Sequence, residues 1–255
     1  MIKELEIFKE HFKDYTPNYV LIGGTACSIL MDEVGLDFRA TKDFDVILII
    51  ENMNEQFAAV FWDFIKKGNY GGIEQGEEFK NFYRFKNPKT PGYPVMIELF
   101  SKSSLNELEN KDSTITPLHI SDEISSLSAI ILDEEYYKLL MDGAKESLGI
   151  SVLSAAFLII FKAKAWLDLK ERKETGGTVH QGDIEKHRKD ILRLHAILEP
   201  NATVDISERI KEDITMFLSK LIEENKDIKG LGLDYTLEEI IKDLEKIYQI
   251  TVPMG

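Results

Sequence analysis

Apolar and polar positions along this chain fall into two unlike halves. Residues 2–12 (IKELEIFKEHF) repeat apolar side chains at helical spacing with charges between them, which predicts an amphipathic helix. A short apolar run at 19–22 predicts a strand, and residues 25–31 behind Gly23-Gly24 predict a second helix. Residues 44–50 are apolar almost throughout, the pattern of a strand covered on both faces in the middle of a sheet. Over 54–67 a third helix places Phe57, Phe61 and Phe64 on one stripe, and a glycine-rich loop at 68–76 is predicted to follow it. Further strands are predicted at 79–86 and 94–100, joined by the turn-forming NPKTPGY, and at 127–132.

Beyond Asp133 the periodicity turns helical, with helices predicted over 136–146, 152–173 and 183–198. Asp205-x-x-Glu208 and Thr236-x-x-Glu239 read as capping boxes that open two more. The expected architecture is therefore an α/β (α+β) domain with a small mixed sheet over residues 1–132, followed by a mainly helical domain over 133–255.

Composition narrows the picture. With 44% hydrophobic and 30% charged residues among 255, the chain reads as a globular protein able to bury a core. A net charge of -14 disfavours broad, sequence-independent nucleic-acid binding but leaves room for a local basic groove. Cys27 is the sole cysteine, so no internal disulfide forms and a reducing compartment is expected. The first residues lack the apolar core of a signal peptide, and the longest apolar run, 154–161, is too short to span a bilayer. A cytoplasmic protein with no membrane contact is the expectation.

Candidate chemistry sits on the predicted strands. Asp43 and Asp45 are two residues apart on one strand, so both side chains point to the same face. Glu98 lies between Ile97 and Leu99 in another apolar strand. Carboxylates held together against apolar surface need a cation. Either Arg84, across a hairpin, pairs with Glu98, or a metal gathers all three groups; hard oxygen donors suit Mg²⁺ shared with a substrate's phosphates. Gly23-Gly24-Thr25 forms a turn into a helix, whose free N–H groups suit phosphate. Thr25 also fits a plain N-cap. Phosphate turn and metal carboxylates together suggest chemistry on a nucleoside triphosphate.

In the second half, Lys162 and Lys164 interrupt an otherwise apolar helix. Residues two apart do not share a helical face, so at most one of them points straight into a pocket. The bland alternative is that both reach water from the helix edge. Asp190 either orients such a lysine or sits on a solvated face beside Arg188 and Lys189. The basic clusters at 162–173 and 186–189 are either solvated or a guide for an RNA acceptor. His180, His187 and His195 lack the spacing and cysteine partners of a zinc site, and Trp166 reads as core.

Ile22-Gly23-Gly24-Thr25 followed by Arg39-x-Thr41-x-Asp43-x-Asp45 resembles the signature of the nucleotidyltransferase superfamily (DNA polymerase β-like), and most closely the AbiEii-type nucleotidyltransferases, toxins of type IV toxin–antitoxin systems. The run Phe161 to Leu169 is similar to that family's lysine-bearing helix, and Lys189-Asp190-Ile191 to its later motif. The likeness covers residues 19–194; Glu98 departs from it, since relatives more often carry aspartate there. The resemblance implies a two-metal Mg²⁺ site on Asp43, Asp45 and Glu98, with Glu98 also taking the acceptor's proton. It further implies that Gly23, Gly24, Thr25, Arg39, Thr41 and Lys164 bind the nucleotide, that Lys162 and Asp190 are catalytic, and that the helical half closes the nucleotide cleft. The implied reaction moves NMP from an NTP such as ATP or GTP to an acceptor hydroxyl, on RNA or tRNA in the toxin-like version, with an antitoxin protein as operon partner. Two alternatives stand beside it: transfer to an aminoglycoside-like small molecule, and a non-catalytic nucleotide- or partner-binding relative.

Overall fold

The computed structural model describes residues 3–39, 41–76, 82–102, 116–118, 130–224 and 228–253. Helix α1 (Lys3–Phe12) buries Leu5, Phe8 and Phe12, the stripe its periodicity announces. Strand β1 (Tyr19–Ile22) is buried at every position and runs without a loop into α2 (Gly23–Glu33). Strand β2 (Asp43–Leu48) returns antiparallel beside β1, and α3 (Glu55–Gly68) starts where the Asn54 side chain accepts the Phe57 N–H. There follow β3 (Tyr70–Gly76), β4 (Phe82–Pro88), β5 (Met96–Ser101) and β6 (Thr116–Leu118). Helix α4 (Glu134–Gly143), capped by Asp133, leads to a hairpin of β7 (Ala144–Ser147) and β8 (Ile150–Leu153). The chain then becomes helical through α5 (Ala155–Glu174), α6 (Gln181–His195), α7 (Glu208–Glu224) and α8 (Leu237–Tyr248).

The eight strands among the described residues form one mixed sheet in the order β6-β3-β4-β5-β2-β1-β8-β7. Pairs β2–β5, β1–β8 and β3–β6 are parallel and the rest antiparallel. One face is sealed by α1 and α3 through a cluster of rings; Phe44 of β2 meets Phe8 with centroids 5.3 Å apart, and Phe8 meets Phe64 at 5.7 Å. Since Phe44 points to that face, its neighbours Asp43 and Asp45 point to the other, where α2 begins and α5 and α6 pack. Trp166 of α5 packs edge-on against Phe217 of α7, which ties the last helices to the same core.

The α/β class with a mixed sheet and a helical second half is observed, with four changes of detail. Residues 70–76 of the expected glycine loop are strand β3, because β4 and β6 supply hydrogen-bond partners on both sides. Of the strand expected at 127–132, residues 130–132 are helical, and 127–129 lie outside the described residues. The helix expected to begin at 152 begins at Ala155, and the one expected to reach 146 stops at Gly143. Between them β7 and β8 turn through Leu148 and Gly149, both at positive φ (52° and 79°) as a two-residue hairpin requires. A four-residue buried strand running into an apolar helix carries no periodicity of its own, which is why the pattern hides it. A cut after residue 132 would therefore strip β7 and β8 from the sheet; the change to helices falls near Ser154. Thr236 and Glu239 form their capping box, but α7 starts at Glu208 with Ser207, not Asp205, accepting the Ile210 N–H.

Candidate active site

Strand alternation and register bring the sequence-derived carboxylates together. Asp43 and Asp45 share a face of β2, and Glu98 of β5 is the direct register partner of Asp45. Asp45 is in turn paired in register with Ile22, the last residue before α2. All three carboxylates line one cleft with Gly23 and Gly24. Gly23 is irreplaceable by geometry: its φ is +66°, and a Cβ there would stand 1.7 Å from Asp45 Oδ2. The Asp45 carboxylate is thus laid against the first residue of α2, where the positive end of the helix favours an anion.

Thr25 is not among the residues that line the cleft. It is buried, and its hydroxyl donates to the Asp43 carbonyl at 2.7 Å, tying the first turn of α2 to the start of β2. Nor is it the N-cap, a place taken by Ile22 without a side-chain bond. Thr25→Val keeps the shape but removes the donor to the Asp43 carbonyl, so a stability loss of about 0.5–1.5 kcal/mol is expected from urea unfolding. Thr25→Ser, which retains the donor, should recover most of it; equal losses in the two variants would refute this tether.

The opposite wall of the cleft is cationic. Lys162 on α5 is buried and donates to Asp190 Oδ2 at 2.9 Å, while Arg39 donates to the same carboxylate through Nε (3.1 Å) and Nη2 (2.9 Å). Arg39 also lies over the Phe38 ring and beside Gly24, and Thr41 completes that rim. Asp190 is fully buried, which alone would raise its pKa; Lys162 and Arg39 outweigh this and hold it at about 2. Burial likewise works against the Lys162 ammonium, yet Cys27, once ionised at high pH, and the Asp190 carboxylate overcome it and leave its pKa above the ordinary value. Burial pushes the Cys27 thiol up to about 11, so it stays neutral. Two cations on one carboxylate leave one positive charge in surplus, and Arg39 and Lys162 both face the cleft.

Only one of the two lysines points inward, as helical spacing requires. Lys164 lies outside the cleft and pairs with Asp168 (3.4 Å) and Asp213 of α7 (3.3 Å), so its expected place at the nucleotide is not what the structure gives it. Lys186, from the basic cluster at 186–189, lines the cleft, and so does His187, which the sequence offered only as an improbable zinc ligand. They precede Asp190 by four and three residues on α6, so the face that carries Asp190 inward carries them too, and that spacing was the available signal.

Glu98 is held by the ion pair weighed against a metal role. Arg84 Nε and Nη2 donate to Glu98 Oε1 at 2.9 and 2.6 Å, from the position opposite it on β4. Among the described residues no three His, Cys, Asp or Glu groups converge as a metal cluster. The donor chemistry of Asp43 and Asp45 fits a single Mg²⁺, which takes one or two carboxylates and completes its shell with water and substrate phosphate. Glu98, the third carboxylate of the expected two-ion site, is engaged through Oε1 by Arg84. The described residues include no helix long and apolar enough to cross a membrane.

No known sequence family's profile matches this chain, and neither does any curated protein. Comparison with solved structures matches it to an antigenic nucleotidyltransferase-like protein from Paracoccidioides brasiliensis, at 14% identity and a TM-score of 0.45 over 92% of this chain and 93% of that one. It also matches the antibiotic-resistance factor ANT(2'')-Ia, at 12% identity and a TM-score of 0.38 over 88% of this chain and 96% of that one.

Proposed function

We propose that this chain is an Mg²⁺-dependent nucleotidyltransferase that moves NMP from an NTP to an acceptor hydroxyl. One observation carries the reading: a single cleft sets Asp43, Asp45 and Glu98 against the glycine start of α2 on one side and Arg39 and Lys162 on the other. Such a cleft offers a divalent ion and a polyphosphate complementary charge at once. When bound, Mg²⁺ supplies Lewis acidity at the phosphoryl oxygens. Asp43 and Asp45 would hold it. The Gly23 and Gly24 backbone, bare of side chains beside Asp45 and Arg39, would let phosphate approach closely. Arg39 and Lys162, fixed by Asp190, place positive charge where negative charge grows on the phosphates during in-line displacement. Glu98 has Oε1 held by Arg84, so Oε2 is the oxygen that accepts the proton of the attacking hydroxyl; the bond from that hydroxyl to the α-phosphorus forms as pyrophosphate leaves.

The acceptor in this reading is an RNA hydroxyl, tRNA included, approached along the basic side of α6 that bears Lys186 and Lys189. Toxicity and an antitoxin partner belong to that version, with growth arrest on expression as their sign. The net charge of -14 favours a second acceptor, a cationic aminoglycoside-like molecule, whose sign is drug resistance on expression. The core chemistry is tested by incubating the protein with Mg²⁺ and α-labelled NTPs over total RNA and over aminoglycosides. Label transfer is expected in the wild type and is expected to fall by at least about 10³-fold in Asp43→Ala/Asp45→Ala, the scale of losing preorganised charge stabilisation. Transfer that persists in that double variant rules this cleft out as the active site.

A further inference from the structure

Register lines up Arg84, Glu98 and Asp45 across β4, β5 and β2, with Ile22 and the glycine start of α2 next in the row. Neighbouring strands lie about 4.8 Å apart. Glu98 therefore stands between a fixed guanidinium and the Asp45 carboxylate. The Arg84–Glu98 contact is two donors on one oxygen, between side chains only 18% and 12% exposed. A charge-assisted contact of this kind, mostly out of water, is strong, and a guanidinium does not lose its charge at any pH the protein survives. Asp43, Asp45, Glu98 and Arg84 together carry two net negative charges, which a single divalent ion cancels. A second divalent ion on Glu98 would sit within about one strand spacing of the guanidinium, which repels it.

Resting on the nucleotidyl-transfer reading, we propose that Arg84 takes the place of the second metal ion. The cleft binds one divalent ion, at Asp43 and Asp45, and the Arg84 guanidinium supplies the fixed positive charge beside Glu98. It acts through Glu98, holding Oε1 and so aiming Oε2 at the acceptor, and is a positioning residue. Removing the guanidinium frees Glu98 to complete a second ion site beside Asp45.

The test counts ions. Mn²⁺ replaces Mg²⁺, each of the four α,β-methylene NTPs is added in turn, and bound Mn²⁺ per chain is measured by equilibrium dialysis. Electron paramagnetic resonance distinguishes an isolated ion from a spin-coupled pair, the state expected of ions about 4 Å apart. The wild type should bind one isolated Mn²⁺ with nucleotide. Arg84→Met, which keeps the apolar stem, should bind two with a coupled spectrum, and Arg84→Lys, which keeps the charge, should stay at one. Two coupled ions in the wild type overturn the proposal while leaving nucleotidyl transfer intact. A count that remains at one in folded Arg84→Met overturns the role given to Arg84. No nucleotide-dependent ion at all overturns the nucleotidyl-transfer reading, and this proposal with it. The wild-type count decides between one ion and two even if Arg84→Met fails to fold.

Discussion

Asp190→Ala is expected to destabilise the protein by about 3–5 kcal/mol, the scale of leaving a buried charge without its partner. Asp190 is fully buried and binds two cations, Lys162 on α5 and Arg39 in the loop before β2. Removing its carboxylate leaves the buried ammonium of Lys162 near the Arg39 guanidinium, with repulsion where there was attraction. The sign of the pH dependence follows. The folded-state pKa of Asp190 lies at about 2, below the ordinary 3.8, so its stabilisation is fully present above 3.8 and fades as pH falls toward 2. Urea unfolding at neutral pH should show the full loss in Asp190→Ala, and the gap between wild type and variant should narrow below pH 3.8. Asp190→Leu combined with Lys162→Met removes the buried charge with its partner and should recover much of the stability but not the transfer activity. A loss under about 1 kcal/mol in Asp190→Ala would mean that water, not Asp190, solvates Lys162.

The parts of this site that local rules determine were readable before any fold was known. Two-residue alternation sets Asp43 and Asp45 on one face, and a strand running straight into Gly23-Gly24 announces a helix start beside them. What local rules leave open is which long-range partner each side chain finds. Glu98 had two possible counter-charges, and only the β4–β5 register, which puts Arg84 opposite it, decides for the guanidinium. Thr25 looked equally suited to a cap or a phosphate; its donation to the Asp43 carbonyl depends on how α2 packs on β2. Helical spacing allowed only one of Lys162 and Lys164 to face inward, and the packing of α5 between α6 and α7 chose Lys162. The β7–β8 hairpin escaped because Leu148 stands where such turns usually carry Asn, Asp or Gly, and the second strand merges with the apolar start of α5.

Gly23→Ala is expected to lower nucleotidyl transfer by roughly 100-fold, the cost of moving a reacting group by about 1 Å. Its added Cβ would lie 1.7 Å from Asp45 Oδ2 and 2.8 Å from Asp45 Cγ, so the carboxylate must shift by more than an ångström to reach a permitted contact. The backbone cannot yield instead: Gly23 has φ +66°, where alanine adds about 1–2 kcal/mol of strain, and it is pinned between β1 and the first turn of α2. Gly24→Ala makes the contrast. Its Cβ would meet Arg39 Nη2 at 3.0 Å and Thr41 Oγ1 at 3.1 Å, and the end of an arginine side chain can give way by a few tenths of an ångström. Gly24→Ala should therefore retain most of its divalent-ion binding and lose less than about 10-fold in rate. Gly23→Ala should bind Mn²⁺ weakly even with nucleotide present. Rates and ion affinities of the two variants, measured side by side, locate the Asp45 carboxylate functionally. If Gly23→Ala keeps near-wild-type transfer, Asp45 is not working from its position against the start of α2, and the phosphate and metal roles given to this cleft separate from one another.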